Sequence, residues 1–479
     1  MPNPEHERGA LFRPDLGVLP AASHLRGLKP PNHMRKILIL GAGRSASSLI
    51  QYLIRHAGEQ DWRVTVADQD QTHAEAMVKE GPDVATGLAL DATKADARGA
   101  LIAEHDLVIS MLPAFMHMDV MQDCLRLKKH VITPSYVPDA LLPLGNDFKS
   151  AGLIVMNEMG LDPGIDHMSA MRILDRIRRE DGRMEEFESY TGGLVAPESD
   201  DNPWGYKFSW NPRNVVLAGQ GGAAKYIQGG ITKYIPYHKL FQQTVRVEVE
   251  GSGAFDGYAN RDSLKYRAQY GIDEIPTLVR GTLRKAGYCE AWDAFVQLGC
   301  TDDGYSMELP KEATWQDYIE SFLPDSPETD LRTRLSKYLR IPKDGAAMER
   351  LAWLGLFERS AIGVAGRSPA ATLQHLLEAK WKLGPKDKDM VVMWHRFRYS
   401  VEGQHQTIHS SLSVIGVDTT YTAMARTVGL PIAIACKLVL NGGIEERGIM
   451  LPLVPSIYDP ILDELETLGI AFNEEELEA

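Results

Sequence analysis

An α/β chain is what this sequence predicts: a doubly wound parallel sheet followed by a second α/β domain that carries a helical insertion. Three observations predict it. Short strand-like runs, the first of them apolar, alternate with helical stretches from residue 34 to about 160. A glycine-rich turn joins the first strand to the first helix. After Asp175 the rhythm breaks into aromatic, Gly-rich strand text, then charged helical text, then strands again.

The elements follow in order. "RKILIL" from Arg35 is a buried strand of parallel type, and "GAGRSA" opens a helix over 45–57. The strand "WRVTVA" leads to Asp68, followed by helix 72–80, strand "VATGLAL", helix 93–103, strand "DLVISML" and helix 114–127. Strand "HVIT", helix 138–150 and strand "LIVMNEM" complete the alternation. Residues 244–250, "TVRVEVE", alternate as a half-buried strand does. The text from about 275 to 390 reads as helical. "DMVVMWHRFRYSVEG" and "QTIHSSLSVIG" read as a hairpin about Gly403, before a long helix over 419–440 and a last one near 460–469. These elements predict four parts. Residues 1–33, rich in Pro, Gly and His, form a loose extension. Residues 34–160, with 441–479 packing back, form the nucleotide domain. Residues 161–275 with 390–440 form an α/β domain for substrate binding and dimerisation, and 276–389 a helical domain.

Bulk numbers narrow the function. A chain of 479 residues exceeds one hydrophobic core. A formal charge of −14 disfavours nucleic acid and anionic membrane as partners, since phosphate binding needs a basic surface. No apolar run reads as a bilayer span. Cys124, Cys289, Cys300 and Cys436 are scattered and read as small buried reduced thiols, which suits a cytoplasmic protein. No metal-ligand spacing is present, so no metal is expected. His395, His405 and His409 read as surface or structural side chains.

The nucleotide signal is Gly41-x-Gly43-x-x-Ala46 between a strand and a helix, with Asp68 ending the next strand. Gly41 and Gly43 would allow a tight turn and let a pyrophosphate approach the helix N-terminus, past Arg44, Ser45 and Ala46. Asp68 would accept hydrogen bonds from ribose hydroxyls and repel a 2′-phosphate, which favours NAD. Arg44 could pair with that phosphate, so NADP stays open. This is the Rossmann-type arrangement. "SMLPAFMH" and "TPSYVPDA" leave the carboxyl ends of later strands, where open α/β sheets bind ligands, and offer Ser110, Pro113, Ser135 and Tyr136.

"MNEMGLDPGIDHMSAMRIL" follows the sixth strand. Two readings of Asp162 stand: an N-cap before Pro163, or a substrate ligand beside the nicotinamide. Asp166 and His167 are supporting residues. Farther on, Arg261 in "GYANRDSLKYR", and Thr282 and Arg284 in "RGTLRKAGY", are candidate forks for a carboxylate, each weighed against an ordinary solvated side chain.

With these motifs in hand, the chain resembles the L-glutamate-forming saccharopine dehydrogenases, also called saccharopine reductases. The matching runs are "NEMGLDPGIDH", "GGLVAPESDDNPWGYKFSW", "NRDS", "RGTLRKAGY", "LAWLGLF" and "ARTVGLPIAIACKLVLNGGI", spread from about Met34 onward. The resemblance implies a Rossmann domain, an α/β substrate and dimer domain with an inserted helical domain, and a homodimer. It implies NAD(P)-dependent interconversion of saccharopine with L-glutamate and 2-aminoadipate 6-semialdehyde in lysine metabolism. It puts nucleotide on Gly41 to Ser47, on Asp68, Gln69 and Asp70, and on Asp91 and Met111, with Lys207 nearby. It puts saccharopine on Ser135, Tyr136, Asp162, Arg261, Thr282, Leu283 and Arg284, with Asp162 as the expected catalytic residue. Two departures stand out. Fungal members carry "CRT" where this chain has Asp68-Gln69-Asp70, and the family's "CGG" is here Thr191-Gly192-Gly193. NAD is therefore the better expectation, and no thiol at position 191 can be required. Competing readings are a polyamine-pathway reductase acting on carboxynorspermidine and a non-catalytic nucleotide sensor.

Overall fold

The computed structural model describes residues 34–218, 220–364 and 366–478. The expected extension, residues 1–33, lies outside the described residues. The chain divides into two compact units. Of the described residues, one holds 34–183, Tyr266–Asp273 and Thr420–Phe472; the other holds Met184–Lys265, Glu274–Thr419 and 473–478.

The first unit is built on a seven-stranded parallel sheet. Its strands are β1 (Arg35–Leu40), β2 (Trp62–Asp68), β3 (Ala85–Ala89), β4 (Leu107–Ser110), β5 (His130–Ile132), β6 (Ile154–Met156) and β15 (Gly448–Met450), in the order β15-β6-β5-β4-β1-β2-β3. The chain reverses direction across the sheet at β1, which places the loops after β1 and β4 side by side. Ile37 to Leu40 are fully buried, as the unbroken apolar run requires of a strand covered on both faces.

The helix Ala423–Leu440 is 18 residues long with a mean hydropathy of 1.6, so by length and composition it could cross a membrane, contrary to the expectation of no such run. It is 78% buried and packs on the helix Ser47–Gln60, as a core helix of this unit. Gly429 permits the close approach: a Cβ there would stand 2.9 Å from the backbone nitrogen of Leu49.

The second unit holds a nine-stranded mixed sheet. It comprises β7 (Arg183–Val195), β8 (Ala224–Gln228), β9 (Ile231–Ile235), β10 (Val245–Val249), β11 (Gly253–Ala259), β12 (Thr277–Lys285), β13 (Asp389–Val401), β14 (Gln404–Ile415) and β16 (Asn473–Glu478). The main path runs β10-β11-β12-β7-β13-β14-β16, with β8 and β9 hung on β12. The expected hairpin is β13–β14, with Gly403 at φ +84° in its turn. Helices from Tyr288–Leu298 to Pro369–Lys380 share one hydrophobic core with this sheet, centred on Trp204, Trp292 and Trp381.

These units differ from the expected boundaries. Thr277–Lys285, expected within the helical stretch, is a strand paired with β7 and β11. Residues 161–183, 266–273 and 420–440 belong to the first unit, because the helix Ile165–Arg179 packs on Pro455–Thr467, which in turn packs on Ala423–Leu440. Of the C-terminal segment, β15 joins the parallel sheet while β16 pairs with β14.

Candidate active site

The turn after β1 has the form a dinucleotide needs. Gly41 sits at φ +94°, and a Cβ on it would stand 3.1 Å from the carbonyl oxygen of Met111, the residue just past β4. Gly43 has no atom within 4 Å of a notional Cβ, so the turn is open where a pyrophosphate would approach. The helix Ser47–Gln60 starts with Ala46 at its N-cap and no side-chain cap, leaving its first amides and the positive end of its dipole to an anion. Arg44 is exposed and Ser45 half-buried beside them.

Asp68 ends β2 facing this turn. One carboxylate oxygen accepts the Ala42 N–H at 2.7 Å and the other the Asp70 N–H at 3.1 Å. Gln69 is exposed. Asp70 caps the next helix through the His73 N–H at 3.1 Å, and His73 Nε2 donates to the Ala42 carbonyl at 2.7 Å, closing a ring of bonds around the turn. Asp91 lies past the end of β3, where the N–H and hydroxyl of Thr93 donate to it at 3.0 and 2.6 Å and hold its carboxyl below the usual range. These residues fit a nicotinamide dinucleotide.

On the same carboxyl edge, the loops after β5 and β6 are tied together. The Glu158 N–H donates to the Ser135 carbonyl at 3.0 Å, and the Val137 N–H to Glu158 Oε1 at 3.2 Å. Ser135 is half-buried and Tyr136 is 46% exposed between these ties. Behind Ser135 stands His117, whose Nε2 is 2.7 Å from Ser135 Oγ and whose Nδ1 is 2.8 Å from the buried Ser110 Oγ.

Asp162 is half-buried in the turn after β6, and its bond to Pro163 is cis. The capping reading does not hold. The next helix begins at Ile165 with Gly164, at φ +149°, in the cap position, and Asp166 Oδ1 takes the Gly164 N–H at 2.6 Å. The acid nearest the helix thus does the local work, and Asp162 is not its cap.

A buried cluster supports this turn. Glu158, 1% exposed, accepts from His167 Nε2 at 3.0 Å and from the Tyr266 hydroxyl at 2.8 Å, while the Tyr270 hydroxyl meets His167 Nδ1 at 2.5 Å. Burial pushes the Glu158 carboxyl up, but the hydrogen bonds from His167, Tyr266 and Val137 outweigh it and leave it below its ordinary value. Of this cluster only His167 is marked by its motif as a site residue; Glu158, Tyr266 and Tyr270, and His117 behind Ser135, are not. An acid in a strand-end turn, and an imidazole at the end of the "SMLPAFMH" loop, were the available signals.

In the second unit, Arg284 is 3% exposed on β12. Its guanidinium lies 5.2, 5.9 and 5.6 Å from the ring centres of Tyr206, Tyr258 and Tyr288, and its Nη1 donates to the Leu283 carbonyl at 3.0 Å. Its Nε has no partner, and among the described residues no carboxylate pairs with it. A buried cation without an anion is costly unless one is delivered to it. Thr282 lies on the same face of β12, donates to Asn260 Oδ1 at 2.8 Å, and is opposite Thr191, whose buried hydroxyl also lacks a partner. Arg261 is exposed instead and donates to the carbonyls of Gln220 and Leu217 at 3.1 and 3.4 Å. Lys207 is clamped by Asp201 and Asp387 at 2.8 and 2.6 Å, so its ammonium is already neutralised. His395 is buried and His409 leans on the Trp394 ring, while His405 pairs with Glu185. All four cysteines are free and buried, and burial pushes the Cys300 thiol up to about 12.

Comparison with known proteins bears on this geometry. A family model described as the saccharopine dehydrogenase NADP binding domain matches residues 37–156, and one described as the saccharopine dehydrogenase C-terminal domain matches 160–470. The chain belongs to the saccharopine dehydrogenase family. It is 37% identical to the NADP+, L-glutamate-forming saccharopine dehydrogenase of Saccharomyces cerevisiae, over 92% of this chain and 99% of that protein. It is 34% identical to the mitochondrial alpha-aminoadipic semialdehyde synthase of Rattus norvegicus, matching 47% of that longer protein. The apo structure of the Saccharomyces cerevisiae L-Glu-forming enzyme aligns with a TM-score of 0.84 at 36% identity, covering 92% of this chain and 100% of that one. A homospermidine synthase from Legionella pneumophila shares the fold alone, at TM-score 0.54 and 10% identity.

Proposed function

We propose that this family member is a nicotinamide-dependent oxidoreductase of lysine metabolism that interconverts saccharopine with L-glutamate and 2-aminoadipate 6-semialdehyde. The observation that carries the reading lies in the first unit. The Gly41 turn with Asp68, and the loops bearing Ser135 and Asp162, leave the same carboxyl edge of one parallel sheet. The named relatives supply the substrate class.

In the oxidising direction, hydride leaves the carbon beside the secondary amine of saccharopine, water adds to the resulting imine, and the C–N bond breaks. A bound nicotinamide would supply the hydride acceptor. Gly41 to Ala46 and the helix dipole would hold its pyrophosphate, with Asp68 on a ribose and Asp91 and Met111 alongside. Asp162 is the group proposed to orient or deprotonate the amine. Ser135 and Tyr136 offer hydroxyls to the substrate.

NAD is the proposed cofactor, although the relatives' names carry NADP. Support comes from the carboxylates of Asp68 and Asp70 at the end of β2, where a 2′-phosphate would meet like charge. A panel of saccharopine and carboxynorspermidine, each with NAD and NADP, tests both points. Reduction of NAD by saccharopine alone is the expected result. Turnover only with carboxynorspermidine, or none with either, would overturn the reading.

A further inference from the structure

The side chain behind Ser135 carries more than packing. His117 begins the helix His117–Leu127 and is 2% exposed, with Ser110 on one ring nitrogen and Ser135 on the other. The ring is neutral, since burial pushes its pKa down to about 4. A neutral imidazole has one donor and one acceptor, so the two hydroxyls must play opposite parts.

Ser110 decides which. Its hydroxyl is fully buried, and among the described residues its hydrogen-bond partner is His117 Nδ1 at 2.8 Å. A buried O–H that failed to donate would bear the full cost of desolvation, so Ser110 donates and Nδ1 accepts. The ring proton then sits on Nε2 and is given to Ser135 Oγ at 2.7 Å. Thr133 Oγ1, at 3.4 Å from both ring nitrogens, is too distant to compete, and it accepts the Ser135 N–H at 3.3 Å. With a lone pair of Ser135 occupied from behind, its own proton is free for an acceptor in front.

We propose that His117 is a positioning residue: locked by Ser110 as the Nε2–H tautomer, it makes Ser135 a dedicated donor to an anionic oxygen, a carboxylate of the substrate. The substrate half of this rests on the placing of Ser135 proposed above; the tautomer does not.

Two measurements test it separately. In long-range 1H–15N spectra of histidine-labelled protein, the resonance lost in His117→Gln should be a neutral Nε2–H ring from pH 6 to 8, and Ser110→Ala should shift it toward the Nδ1–H form. An Nδ1–H ring or an imidazolium in the unaltered protein overturns the proposal whatever the substrate is. In kinetics, Ser135→Ala and His117→Phe should each raise the KM for saccharopine on the order of 10-fold, with NADH binding unchanged. The double variant should be no worse than either single one, and His117→Gln, whose amide can still donate to Ser135, should recover most of the loss. A raised KM in Ser135→Ala but not in His117→Phe would sink the relay and leave Ser135 as a substrate contact. No change in Ser135→Ala would sink both. NADH titration and thermal melts of each variant separate a folding defect from these outcomes, and His117→Gln and Ser110→Ala carry the test if His117→Phe fails to fold.

Discussion

Asp68 accepts the backbone N–H of Ala42 at 2.7 Å, so the residue that ends β2 also braces the glycine-rich turn after β1. The same carboxylate is the proposed acceptor for the ribose hydroxyls. Asp68→Ala should therefore weaken NADH binding roughly 10-fold or more, the usual loss for a hydrogen bond to a charged group. It should also narrow the preference for NAD over NADP. Fluorescence titration with both reduced cofactors measures this, and unchanged affinity for NADH would remove Asp68 from the site.

The two glycines of the turn should separate folding from binding. Gly41→Ala forces a side chain onto φ +94° and toward the Met111 carbonyl, so it should cost about 1–3 kcal/mol of stability and lower Tm. Gly43→Ala meets no atom within 4 Å and should melt like the parent chain, yet bind NADH poorly because the methyl stands where the pyrophosphate must approach. Thermal melts alongside NADH titrations would show whether the two effects part in this way.

The helix after Asp162 has Gly164 at its N-cap, and thermal melts beside the kinetics separate any loss of stability in an Asp162 variant from a loss of chemistry. Asp162→Asn should reduce turnover by roughly 100-fold, in the range for loss of a general acid or base, while NADH binding stays intact. Turnover equal to the parent's would exclude it from the mechanism.

Glu158 gives a pH signature. Its carboxyl sits below its ordinary value in the folded state, so the stability it contributes is present above the unfolded value, about 4.3. That contribution is lost as pH falls through the folded value. Glu158→Gln should thus lower Tm at neutral pH, and the gap to the parent chain should close toward strongly acidic pH. A gap independent of pH would assign the loss to packing. Urea melts across pH give the same comparison at fixed temperature.

The parallel sheet was legible because short strand-like runs, the most apolar of them at β1 and β4, alternate with helical stretches and are bounded by turn residues, as strands linked by helical crossovers require. Asp68 was legible for a related reason: a carboxylate closing such a strand, one crossover after a glycine-rich turn, has a fixed place in this topology. Thr277–Lys285 was not, since Arg280 and Arg284 sit at buried positions and break the apolar alternation a strand shows. The acidic β16, "NEEELE", carries no strand signal of its own and exists through its pairing with β14.

What the sequence determined by itself was therefore local and periodic: the order of elements, the glycine turn, the carboxyl-edge loops that would face a cofactor, and the runs that carry the family resemblance. Only the tertiary structure decided which side chains meet. Ser110, His117 and Ser135 converge because β4 and β5 are neighbours in one sheet. Glu158 and His167 meet Tyr266, about a hundred residues away, because the segment Tyr266–Asp273 folds onto the first unit. Asp162 lost its capping role to the conformation of Gly164 and the nearer carboxylate of Asp166. Hydrogen bonds of this kind act over about 3 Å in space and carry no period along the chain, so sequence spacing cannot announce them.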